Sequence, residues 1–174
     1  MTKREDIINE IIKIAKREQS LRMNYLKTGS SKDWEKIKYI DKRNREKFKK
    51  IFKEVGYISS KYGKEAQLSA FLIVQHMPKE DVSFMKKYLY LMKDDLININ
   101  PLSYAQLLDR VRIYEGKEQL YGTQFISVKG KKNTYRLNRI FNQDKVDLRR
   151  NEIGLEPLKE YLKKIAKERN ITIV

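Results

Sequence analysis

Between Ile37 and Val55, the positions Ile37, Asp41, Asn44, Phe48, Ile51 and Val55 recur at alternating steps of four and three, the spacing of one continuous helical face. Asp41 and Asn44 are polar, yet they point the same way as the core residues around them. A first helix over residues 3–27 repeats the pattern, with Ile8, Ile11 and Ala15 followed by Gln19 and Arg22. A third, over 63–77, runs Ala66, Ser69, Ile73 and His76. Three helices thus each aim polar groups inward near one end of an apolar face. Burying a carboxylate or guanidinium alone costs several kcal/mol or more, so these groups are expected to meet one another or to line a wet cleft, with Arg22 and Asp41 as the natural ion pair. The competing expectation is a sealed polar network that only fixes helix packing.

The chain breaks fall where turn chemistry puts them. Thr28, Gly29, Ser30 and Ser31 stop the first helix, and Ser31 or Asp33 is positioned to cap the second, which runs to Val55 and ends at Gly56. A fourth helix is predicted over 80–96, and a fifth from Pro101 to Tyr114, where proline suits a first turn. The texture then changes: Gln119–Val128 and Asn133–Leu137 are rich in Tyr, Thr, Phe, Ile and Val and flank Lys129-Gly130-Lys131-Lys132, which predicts a β-hairpin near residues 119–137. A last helix is predicted from Glu156 to Asn170. The expectation is an α+β fold, predominantly helical, with about six helices and one small hairpin in a single domain of 174 residues.

Composition limits the function classes. Apolar residues at 40 % can fill a core, and charged residues at 36 % can cover the outer faces, which argues against a disordered chain. There is no cysteine, so disulfide frameworks and thiolate zinc sites are excluded. The first helix is interrupted by charges every few positions, so neither a signal peptide nor a membrane span is expected, and the cytoplasm is the expected location. Lys and Arg exceed Asp and Glu by 39 to 23, a net charge of +16 compatible with nucleic-acid binding, although the lysines are dispersed and form no long block.

The junction after the fifth helix concentrates hydrogen-bonding groups: Asp109, Arg110, Gln119, Tyr121, Gly122, Thr123 and Gln124. In a strand starting there, Tyr121 and Thr123 would share one side and Gln124 take the other. No phosphate-binding glycine loop, nucleophile elbow or zinc helix is present, so no cofactor is expected. With one histidine, only an oxygen-rich metal site is open, and no ligand spacing supports one.

Glu18-Gln19-x-x-Arg22, Asp41-x-x-Asn44, Gln75-His76, Leu108-Asp109-Arg110, Gln119-x-Tyr121-Gly122-Thr123-Gln124 and Asp147-x-Arg149-Arg150 followed by Gly154-Leu155 together resemble a widespread bacterial family, a domain of unknown function with a Gln-His, Asp-Arg and Tyr-Gly-Thr-Gln signature. The resemblance runs from about residue 15 to 162. It departs at Glu18, where Asp is expected, and at Met77-Pro78, where Ala-Asp is expected. The residues that it marks coincide with those that break the apolar stripes.

These readings converge on a polar cleft for a small anionic or amide-containing ligand, with hydrolysis or group transfer as the reaction class. His76 is the expected general base or acid, oriented by Asp109 or Asp41. Arg22, Arg110 and Arg149 would hold an anion, and Gln19, Asn44, Tyr121, Thr123 and Gln124 would fix its orientation. The alternatives are a binding module for a nucleotide-like ligand or a protein partner, and a nucleic-acid binder using its lysines and tyrosines.

Overall fold

The computed structural model describes residues 2–174, and the chain divides into two compact units, Met1–Ile99 and Asn100–Val174. The first unit is built from α1 (Lys3–Thr28), α2 (Ser31–Val55), α3 (Lys64–Gln75) and α4 (Val82–Asp94). A capping box starts α1: the Thr2 hydroxyl accepts from the Glu5 amide at 3.3 Å, and the Thr2 amide donates to the Glu5 carboxylate at 2.7 Å. Gly29, at φ 63°, ends it in the left-handed cap that glycine adopts without a Cβ penalty.

Ser30 is the N-cap of α2, and its side chain makes no capping bond. Asp33, an expected cap, is turned back to α1, where Oδ2 accepts from Asn24 Nδ2 at 2.9 Å and Thr28 Oγ1 at 3.0 Å. This ties the α1–α2 turn through side chains.

The buried face of α2 is Ile37, Ile40, Asn44, Phe48 and Phe52, and that of α1 is Ile11, Ile14, Ala15 and Glu18. Ile11 and Ala15 on α1 and Ile37, Asn44 and Phe48 on α2 are buried as the stripes predict, while Ile40 and Phe52 are buried in place of Asp41 and Ile51, and Glu18, not Gln19, is the inward polar residue on α1. Apolar α3 is buried from Ala66 to Val74 except Leu68 and Leu72, and packs against α1 and α2. Phe48, Phe52, Phe84 and Tyr88 pack edge-on or tilted, with ring centroids 5.0–6.3 Å apart, and seat α4 on α2.

The second unit holds α5 (Pro101–Tyr114), β1 (Phe125–Ser127), β2 (Thr134–Leu137), α6 (Val146–Glu152), α7 (Leu158–Arg169) and β3 (Thr172–Ile173). The fold is thus α+β and predominantly helical, with seven α-helices among the described residues. The hairpin is present in the register Phe125↔Leu137 and Ser127↔Tyr135. Two elements escaped the sequence reading: α6, only seven residues long, and β3, which pairs with β2 in parallel.

The predicted strand over 119–128 is reduced to Phe125–Ser127. The amides of Leu120, Tyr121 and Thr123 are taken by a side chain instead of a neighbouring strand, and Gly122 has φ 74°. Ile140, Val146, Leu158, Tyr161 and Ile165 form the core beneath the sheet. No helix among the described residues is long and apolar enough to cross a membrane.

Candidate functional site

In the first unit the inward polar residues form one network centred on Glu18. Pro78 prevents α3 from continuing, so His76 becomes its C-cap at φ −95° and ψ 6° and leaves the helix end beside α1. Glu18 is 1 % exposed. Its Oε1 meets His76 Nδ1 and accepts from Arg22 Nε at 3.3 Å, one helical turn on. Its Oε2 accepts from Asn44 Nδ2 at 3.4 Å. Arg22 then extends Nη2 to Asp41 Oδ2 at 2.7 Å. Arg22, Asp41, Asn44 and His76, drawn from three helices, therefore come together, with the Arg22–Asp41 pair that the stripes implied.

Burial alone would raise the pKa of Glu18, but His76, Arg22 and Asn44 together hold it below the ordinary carboxylate value. For Asp41 the balance falls the other way. Burial pushes it up to about 6, against the pull of Arg22 and helped by the charge of Glu18. One guanidinium thus bridges a carboxylate held ionised and another that titrates near neutrality. A carboxylate at Nδ1 retains a proton there and makes Nε2 the basic ring nitrogen of His76. Gln19 lies at the margin of the network, its Nε2 buried without a hydrogen-bond partner, as is Oε1 of Gln75, the neighbour of His76.

In the second unit Asp109, fully buried on α5, organises the loop over 119–124. Oδ1 accepts from the amides of Leu120 at 2.7 Å and Tyr121 at 3.1 Å, and Oδ2 from the Thr123 amide at 3.0 Å and its hydroxyl at 2.9 Å. Burial raises its pKa more than these bonds lower it. The carbonyls of the same loop face cations. Arg149 Nε donates to the Leu120 carbonyl at 2.9 Å, and Arg150 Nη1 to that of Tyr121 at 2.6 Å, while the Arg150 guanidinium lies 4.7 Å over the Tyr161 ring. An anion and two cations therefore clamp opposite edges of one peptide segment.

Both ends of the Gln119 amide are also used within the loop. Oε1 accepts from the Gln124 amide at 2.9 Å, and Nε2 donates to the carbonyls of Gln124 at 3.2 Å and Asn138 at 2.8 Å. Gln124 Nε2 donates to the Gln106 carbonyl and to Thr123 Oγ1, each at 3.1 Å. Arg110 is half-buried, with Nε sealed and without a hydrogen-bond partner. A Cβ at Gly122 would stand 2.6 Å from Leu158 Cδ1 and 3.2 Å from Ile140 Cδ1, so Leu158 would have to move to admit one.

The carboxylate on His76 Nδ1 is Glu18, a role that the sequence reading gave to Asp41 or Asp109. Glu18 was legible in principle, because it stands four residues before Arg22 and continues the series Ile11, Ile14 and Ala15 at helical spacing. Arg150, part of the motif with Asp147 and Arg149 but given no role there, holds the loop through the Tyr121 carbonyl, a backbone contact that helical or strand spacing does not encode. Among the described residues no group of three or more His, Asp or Glu side chains is placed to hold a metal ion.

Together these features define a basic, mainly helical α+β protein that carries a histidine–carboxylate pair in one unit and a charge-clamped loop in the other. The chain belongs to the family of unknown function DUF6624, whose model matches residues 5–173. No curated protein and no solved structure matches it.

Proposed function

We propose that the chain acts on a small anionic or amide-containing ligand by hydrolysis or group transfer, with His76 as general base and acid and Glu18 as its positioning residue. The supporting observation is the buried Glu18 carboxylate on His76 Nδ1, itself fixed by Arg22 and Asn44. Such a carboxylate stabilises the imidazolium formed when Nε2 takes a proton, and holds the ring in one orientation. The His76 side chain keeps 19 % of its surface and Arg22 20 %, so a ligand anion has a cation within the same network. Asp109 and Gln124 are assigned to holding their own loop, since their polar atoms bind backbone groups and Thr123 there. The same reading places the protein in a bacterial cytoplasm and treats the Gln-His, Asp-Arg and Tyr-Gly-Thr-Gln blocks as the family's signature.

The test is a panel of chromogenic carboxylic esters, phosphoesters and anilides, run alongside a thermal-shift screen of small anions and amides. The wild type is expected to turn over or be stabilised by at least one class. His76→Asn should abolish turnover, and Glu18→Gln should lower kcat by roughly 10²–10⁴, the range of acid–base catalysis. A wild type inert to every compound in both screens, or a Glu18→Gln variant with full activity, sinks the proposal and leaves a sealed structural network.

A further inference from the structure

A cavity of about 620 Å³ lies in the first unit, between the C-terminal end of α2 and α4. Its floor is apolar, from Phe52, Phe84 and Leu91, and its rim is cationic, from Lys49, Lys53 and Lys87. Two of the ammonium groups lie over the floor rings: Lys49 Nζ is 5.5 Å from the Phe84 centroid and Lys87 Nζ 5.4 Å from that of Phe52. No carboxylate lines the cavity. Asp81 neutralises part of this charge, because it pairs with Lys49 and, at 3.1 Å, with Arg45. Lys53 and Lys87 have no carboxylate partner among the described residues.

Beside the rim α2 carries further cations, on the face about 100° around the helix from Lys49. Residues 42–53 contain seven lysines and arginines and one acidic residue, Glu46. Lys47 is held by Glu10, while Lys42, Arg43 and Lys50 are exposed and carry no carboxylate partner among the described residues. Arg43 and Lys50 lie two turns apart on the face that carries exposed Tyr39, and Arg43 is 5.8 Å over the Tyr39 ring. An aromatic-floored notch next to a cationic helix face fits a ligand with a flat apolar group and a repeating negative charge. A small anion would satisfy the notch and leave the helix face unused. A duplex would satisfy the face but keep its bases stacked away from the notch.

We infer that this surface binds single-stranded nucleic acid, one base entering the Phe52–Phe84–Leu91 notch while flanking phosphates lie on Lys53, Lys87 and the α2 lysines. The bonds are to phosphates and a base face, so binding carries little sequence preference and depends on salt. The site stands apart from the Glu18–His76 pair, and its test does not depend on the activity proposed above.

Fluorescence anisotropy with labelled oligo(dT) and oligo(rU) of roughly twelve nucleotides measures it directly. The variant Lys53→Glu/Lys87→Glu is expected to weaken binding at least tenfold. Lys129→Glu/Lys131→Glu, which changes net charge equally in the exposed hairpin turn, should change it less than twofold. Each lysine replaced by alanine at the notch should lower the slope of log K against log salt by about 0.7. An abasic oligomer should bind at least fivefold more weakly than oligo(dT), and a duplex likewise. Equal losses in the two charge-reversal variants, or equal binding of the abasic or duplex probe, overturn the inference. Circular dichroism of each variant excludes loss of fold as the cause.

Discussion

Replacing Asp109 with alanine strands three loop amides, those of Leu120, Tyr121 and Thr123, together with the Thr123 hydroxyl. A buried donor left unsatisfied costs about 1–3 kcal/mol, so the amides alone account for roughly 3–6 kcal/mol after partial relaxation toward water. One opposing effect is present: burial has raised the Asp109 pKa, so removing the ionised carboxylate also relieves its desolvation. The net loss is then on the order of 3–4 kcal/mol, which in a chain of this size lowers Tm by roughly 8–15 °C. Asp109→Asn keeps one acceptor oxygen but presents an NH₂ to donors that need the other, and should lose about half as much.

Thermal unfolding gives the total, and amide hydrogen exchange locates it: protection at Leu120, Tyr121 and Thr123 should collapse in Asp109→Ala while the amides of β2 remain slow. A loss under about 1 kcal/mol, with exchange over 119–124 unchanged, would refute the assignment of Asp109 as the organiser of this loop and return it to the pool of candidate catalytic groups.

Gly122→Ala forces a Cβ to within 2.6 Å of Leu158 Cδ1 at a backbone φ of 74°, so strain and overpacking together should cost roughly 2–4 kcal/mol, read as a lowered urea midpoint with unchanged m-value. For Asp41, whose pKa is pushed up to about 6 from 3.8, the folded chain holds a proton between about pH 4 and 6 that the unfolded chain has released. Stability contributed by that group therefore falls as pH rises through this window. Glu18, held below its ordinary value, works in the opposite sense, contributing stability that is lost as pH falls through its folded pKa. Asp41→Asn removes the first effect and leaves the second, so the stability difference between wild type and variant should shift toward the variant as pH rises from 4 to 6. A difference independent of pH, measured by urea unfolding in a buffer series, counts against a protonated Asp41.

Helical spacing made the long elements legible because their cores obey it: α1 ends at Gly29, α2 at Gly56, and α5 begins at Pro101. The same spacing aims Arg22, Asp41, Asn44 and His76 at one network, which the structure contains. It missed Glu18 by one residue, about 100° of helix rotation, and the cause is physical. A stripe drawn through Ile8, Ile11 and Ala15 has two acceptable continuations, Glu18 and Gln19, and propensity does not choose between them. Partners choose: Glu18 has Arg22, Asn44 and His76 to offset its burial, whereas Gln19 is left with a sealed, unpartnered Nε2.

The loop over 119–124 failed for the converse reason. Tyr, Thr and Gln there have the composition of a strand, but a strand needs its amides free for a neighbour, and Asp109, eleven or more residues upstream, claims three of them. Side-chain capture of backbone over that distance has no period. The reading of residues 119–124 as strand therefore fails where a buried carboxylate is available, and Asp109, an acidic residue at helical spacing with Ala105 on the buried face of α5, was the visible warning. An acid in that position must find donors, and the nearest unpaired amides downstream are those of the segment whose strand it prevents.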